Sequence, residues 1–197
     1  MEILRSTLDL LRARLDAVFQ ISDPRSEEWV ALTNPVDLDG RVSEQARNKI
    51  VMALVGLQSD TTIGTFPGTI AVPGDQFARV APPLRLNAFV VFFSNFTEKN
   101  YATGLGMLSR TIGFFQQNPV FTPELLPGLP DGVDKISLDF VNLDLMQTNH
   151  LMGMLGLKYM PSALYKLRML TFASDAIASL VPAARRTRPA DKGAAME

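Results

Sequence analysis

The sequence predicts a mixed α/β (α+β) domain built on a single, largely antiparallel sheet with helices packed on it. Three observations carry this. Residues 2–20 have helical periodicity. Strand-like runs recur at 48–58, 84–93, 136–143 and 164–172. Helical patterns at 98–117 and 144–156 separate the later strands, an alternation that fits one sheet flanked by helices.

The first helix rests on Leu4, Leu8, Leu11, Leu15 and Val18, spaced three and four apart so that they share one face. Arg5, Asp9, Arg12 and Asp16 take the other side, with Asp9 and Arg12 spaced for a weak ion pair. A short strand is expected around Trp29, within 27–34. In 48–58, Ile50, Met52 and Leu54 alternate with Val51, Ala53 and Val55, so both faces are apolar and both should be covered. Residues 61–83 are rich in Gly and Pro and read as a long loop with room for a small hairpin.

The run 84–93 is the clearest strand, and Ser94-Asn95 closes it. In 98–117 the apolar stripe is Tyr101, Leu105, Leu108, Ile112 and Phe115. Gly104, Gly106 and Gly113 interrupt it, each costing up to about 1 kcal/mol relative to alanine, which suggests close packing against a sheet or a second chain. Asn118-Pro119 ends the helix. Ile136, Leu138 and Phe140 alternate with Ser137 and Asp139 as a half-buried strand, and Asp144 suits the N-cap of the helix after it. In 164–172, Lys166 and Arg168 share one face, and Tyr165, Leu167 and Met169 the other. The domain is read as 1–181, followed by a flexible basic tail, 182–197.

Composition excludes several functions. Of 197 residues, 47% are apolar and 20% charged, as a folded domain with a core requires. The net charge of −1 provides no general attraction to nucleic acid or anionic membrane. No apolar run approaches a membrane span, and the arginine-interrupted start does not read as a secretory signal. The absence of cysteine removes disulfide and thiolate chemistry and fits the cytoplasm.

Searches for chemistry fail one after another. Asp37, Asp39 and Gly40 match the middle of a calcium loop, but Pro35 and Ala46 stand where its end ligands belong. No glycine-rich segment carries the lysine of a phosphate loop, and no serine sits in a nucleophile elbow. His150 is the only histidine; spaced helically with Met146 and Met154, it reads as a hydrogen-bonded structural residue. Asp139 and Asp144 are a carboxylate pair in name only. No catalytic residue, cofactor or metal is therefore expected. Arg185, Arg186 and Arg188 lack interleaved aromatics and suit a solvated tail or a protein-binding arm better than nucleic acid.

Several unusual strings occur together: NKIVMALVGL, LRLNAFVVFFSNF, FFQQNPVFTP and NHLMGMLGLKYMPSALYKLR. In this order and spacing, over about residues 3–175, the chain resembles the cap (tail-terminator) proteins of phage-tail-like contractile injection systems. It departs from them at Met152, where tryptophan is frequent, and after residue 180. The resemblance implies a terminator-like fold and a non-catalytic homohexameric ring. That ring would close the distal end of the inner tube, join it to the last sheath layer, end polymerisation and keep the sheath extended. The implied partners are further copies of the chain, the sheath protein and the inner tube protein, with no nucleic acid and no membrane insertion. Assembly would be cytoplasmic, within a particle that is later released or retained.

Within that frame, Tyr159, Pro161, Ser162 and Tyr165 are expected to form a structural corner between helix and strand. Lys166, Arg168, the 61–83 loop and the tail arginines Arg185, Arg186 and Arg188 are expected to contribute subunit or sheath contacts. Two other readings compete: a small hydrolase with an unrecognised site, and a nucleic-acid adaptor using the arginine-rich tail. The first should have a pocket with perturbed titratable groups, the second a steep salt dependence of binding.

Overall fold

Helix α1 (Ile3–Ser22) forms where the apolar spacing demands it, burying Ile3, Leu8, Leu11, Leu15 and Phe19. Its outer side carries Arg5 and Arg12, 3.7 and 4.0 Å from the Asp9 carboxylate. Arg5 and Asp9 are exposed and Arg12 is partly buried; helical pairs at this spacing contribute only a few tenths of a kcal/mol, about 0.2–0.5 each. The computed structural model describes residues 2–37, 40–41, 43–60, 68–72, 76–80, 84–172 and 177–182. Beyond α1 the order is β1 (Val30–Leu32), β2 (Lys49–Ser59), β3 (Gly68–Val72), β4 (Gln76–Val80) and β5 (Leu84–Asn95). Then come α2 (Tyr101–Gln117), β6 (Val120–Phe121), β7 (Ile136–Val141), α3 (Leu145–Met154), β8 (Ser162–Phe172) and β9 (Ile177–Pro182).

The chain divides into two units. The larger, residues 1–62 with 84–172, holds a six-stranded sheet in the order β1-β2-β5-β8-β7-β6. Only the β1–β2 pair is parallel; the other pairs are antiparallel. The smaller, residues 63–83 with 173–197, holds a three-stranded antiparallel sheet, β3-β4-β9. The expected mixed, largely antiparallel sheet flanked by helices is that of the larger unit; a second, three-stranded sheet accompanies it in the smaller unit, and the 61–83 segment carries the hairpin β3–β4 for which it had room. Strand β9 is absent from the sequence reading because IASLVP has no alternating pattern and its partner lies about a hundred residues upstream.

Strand β2 is covered on both faces, as its doubly apolar pattern requires. Ile50 and Met52 join the core beneath α1 and α2, with Val90, Phe92, Tyr165 and Leu167. Val51 and Ala53 join a second core with Val91, Phe93, Leu164 and Met152 of α3. Helices thus pack on both sides of the sheet. Met152, the position of the family departure, is buried.

The buried face of α2 is rotated from the apolar stripe. Gly104, Met107, Leu108, Thr111, Phe114 and Phe115 are buried, whereas Tyr101, Leu105 and Ile112 lie exposed. Close approach at Gly104 sets this rotation. A Cβ there would stand 2.5 Å from Ser94 Oγ and 2.8 Å from the Phe96 ring. A Cβ at Gly106 or Gly113 would meet nothing within 4 Å, so the close packing inferred from three glycines holds at one.

Candidate functional site

The residues of the expected corner separate. Tyr165 is buried, with its ring 5.1 Å from Phe115, 5.4 Å from Phe140 and 5.7 Å from Phe92. Such pairs contribute about 0.5–1.5 kcal/mol each beyond area burial. Burial raises its phenol pKa to about 12. Tyr159 is 73% exposed and lies on the surface. Pro161 precedes β8, and its carbonyl accepts from the Ser94 N–H at 2.8 Å, tying β8 to the end of β5. Ser162 opens β8 opposite Phe93.

Lys166 and Arg168 lie partly exposed on β8, opposite Asp139 and Ser137 of β7. Arg168 Nε donates to the Asp139 carboxylate, and the Lys166 ammonium sits 5.8 Å from the centre of the Phe89 ring. Arg185, Arg186 and Arg188 lie outside the described residues, as does Asp39 of the rejected calcium loop.

The side chains weighed for chemistry are exposed or held in local structural contacts. His150 is exposed and its side chain makes no hydrogen bond among the described residues, which corrects the expectation of a hydrogen-bonded structural histidine. The Met146–His150–Met154 stripe faces outward because Leu151, Met152 and Leu155 are the residues that meet the sheet. Asp139 is held by Arg168. Asp144 is the expected N-cap: its carboxylate accepts from Gln147 N–H at 2.7 Å, and Gln147 Oε1 accepts from Asp144 N–H at 3.0 Å. Burial lowers the Arg25 guanidinium pKa, with Glu27, Asp16 and Asp23 acting the other way. Arg25 stacks 3.7 Å over the Trp29 ring, a structural contact. Among the described residues, no three His, Asp or Glu side chains gather to hold a metal, and no helix is long and apolar enough to cross a membrane.

What the larger unit does present is uncovered sheet edge and apolar surface. Strand β1 pairs only with Ile50–Met52, so that among the described residues Leu54–Ser59 of β2 have no strand neighbour on that side. At the other edge β6 pairs only with Ile136 and Ser137. Between β7, α3 and the start of β8 opens a cavity of about 360 Å³, lined by residues that include Phe140, Leu143, Leu145, Tyr159 and Leu164. Leu145 is 89% exposed and Phe140 51%. Sequence reasoning missed this surface, because alternation marks Phe140 as an inward residue. The available signal was the lack of any Asp, Glu, Lys or Arg in residues 145–157, so that α3 has no charged outer face.

Sequence comparison matches residues 3–186 to the Pvc16 N-terminal domain family. The chain belongs to this family. Among curated proteins no sequence matches it. Its fold is similar to two solved structures at low identity. One is the sheath/tube terminator of the extracellular contractile injection system PVC, in the extended state, at TM-score 0.61 and 12% identity. The match covers 99% of this chain and 65% of that one. The other is the tube-terminating cap of the anti-feeding prophage, at TM-score 0.52 and 14% identity, covering 93% of this chain and 58% of that one. This Pvc16 N-terminal domain chain thus spans about two thirds or less of the length of either structural relative.

Proposed function

We propose that this chain caps a contractile injection particle. Six copies form a ring on the distal end of the inner tube and join it to the last sheath layer, which ends polymerisation and holds the sheath extended. The observation that carries the reading is the family match along residues 3–186. Two further features support it. The solved chains that share the fold are a terminator and a cap. The surface of the larger unit offers strand edge and apolar area, the means by which proteins add to one another, in place of convergent polar groups.

The role requires no catalysis. Its partners are further copies of the chain, the sheath protein and the tube protein, and assembly takes place in the cytoplasm. A cyclic ring matches a tube end that offers equivalent edges. Residues 1–181 form the cap domain. Lys166, Arg168, the 61–83 segment and the arginines of the 182–197 tail contribute contacts to neighbours.

Electron microscopy of particles from cells lacking the gene tests this. Tubes of unregulated length or prematurely contracted sheaths are expected; particles of normal length with closed ends overturn it. The ring should have a mass of about 130 kDa, six times the 21.6 kDa chain. Truncation after Pro182 keeps β9 and tests the tail: normal capping by that variant excludes a role for it.

A further inference from the structure

We infer that the outward stripe of α3 binds one soft monovalent metal ion, of the copper(I) or silver(I) class, through the imidazole of His150 and a methionine thioether. The inference does not depend on the cap reading.

The stripe is Met146, His150 and Met154, at four-residue steps along α3. Residues four apart on a helix share a face, with their Cβ atoms about 5–6 Å apart. That spacing lets one ion sit between an imidazole nitrogen and a thioether sulfur on successive turns, just as two histidines at the same interval on a helix hold zinc. Met146 and Met154 are eight residues apart, about 12 Å along the helix axis, too far for both sulfurs to close on an ion held over His150. His150 is therefore the common ligand, and either methionine completes the pair.

The fold fixes this stripe in the open. Leu151, Met152 and Leu155, on the other side of the helix, pack against the sheet, and the Asp144 capping box anchors the first turn. Met146 and Met154 are 69% and 65% exposed. His150 is exposed as well, and no described group takes up its ring nitrogens. A neutral imidazole in that position offers a nitrogen lone pair to an incoming ion.

The surroundings decide the class of metal. Residues 145–157 contain no Asp, Glu, Lys or Arg, and the Asp144 carboxylate is engaged in its cap. Asp37 borders a cavity of about 440 Å³ together with Met154. One carboxylate falls well short of the roughly six to eight oxygen ligands that calcium takes. It does not complete the tetrahedral set of a protein zinc site either. Thioether sulfur is a soft ligand that selects copper(I), and imidazole suits copper too. A closed-shell monovalent ion is satisfied by one of each.

Titration of the full chain, isotope-labelled at its methionine methyl groups and histidine ring, with silver nitrate in chloride-free buffer tests the site by nuclear magnetic resonance. Silver(I) stands in for copper(I) because air does not oxidise it. Expected are shifts of the His150 ring signals and of the Met146 or Met154 methyl signals. They should saturate at one ion per chain with silver below about 0.1 mM. His150→Ala should weaken binding about tenfold or more, and so should Met146→Leu combined with Met154→Leu, whereas either leucine substitution alone leaves one pair intact. All three side chains are exposed, so these variants keep the core, and circular dichroism checks that they do. Zinc sulfate at the same concentrations should move none of these signals. Silver shifts confined to other methionines, binding unchanged by His150→Ala or by the double leucine variant, or an equal response to zinc overturns the inference.

Discussion

The Asp16 carboxylate accepts a hydrogen bond from the Trp29 backbone N–H at 2.6 Å. The same oxygen accepts from Val30 N–H at 3.0 Å. A helix side chain thereby satisfies the outer edge of β1, a strand too short to hold its place by pairing alone. Asp16→Ala removes the acceptor and leaves two partly buried donors unpaired. A loss of about 2–3 kcal/mol is expected in urea unfolding, with Asp16→Asn retaining part of it. An unchanged midpoint would mean that β1 is held by other contacts.

Gly104 should tolerate no side chain. Gly104→Ala places a methyl 2.5 Å from Ser94 Oγ and against the Phe96 ring, so α2 must move off β5. A loss of about 1–3 kcal/mol is expected. Gly106→Ala and Gly113→Ala meet open space and should stabilise by up to about 1 kcal/mol each. Thermal unfolding of the three variants separates these outcomes by sign.

Tyr165 makes stability depend on alkaline pH. Burial raises its pKa in the folded protein to about 12, above the ordinary value of 10.0. The folded state therefore holds the phenol proton more tightly than the unfolded state does. This contribution is complete below pH 10 and is lost as pH rises toward 12. The melting temperature should fall across that window, and Tyr165→Phe should flatten the fall. Equal slopes in the two proteins would assign the loss to other groups.

The Asp144 capping box is exposed, so its removal tests α3 without disturbing a core. Asp144→Ala should cost about 1 kcal/mol and lower helix content in the 145–154 segment. Circular dichroism with thermal unfolding checks both.

Features governed by neighbouring residues were legible before the fold was known. The face of α1, the two covered faces of β2, the strand at 84–93 and the cap at Asp144 follow from side-chain period and local hydrogen bonding, which a linear sequence carries. Strand β9 was not legible, because a strand is completed by a partner remote in the chain. The buried face of α2 was not legible either. Gly104 and Thr111 lie inside it while Leu105 and Ile112 lie outside, since contact geometry at Gly104 outweighs hydropathy.

Tyr159 and Tyr165 show the division most plainly. Composition and position along the chain give each an apolar ring and a polar tip near the turn into β8. It is the packing of the folded chain that encloses Tyr165 among three aromatic rings and leaves Tyr159 in the lining of the cavity beside α3. The same holds for Phe140 and Leu145. Hydropathy records the free energy available from burial, but not whether a side chain finds its cover within its own chain.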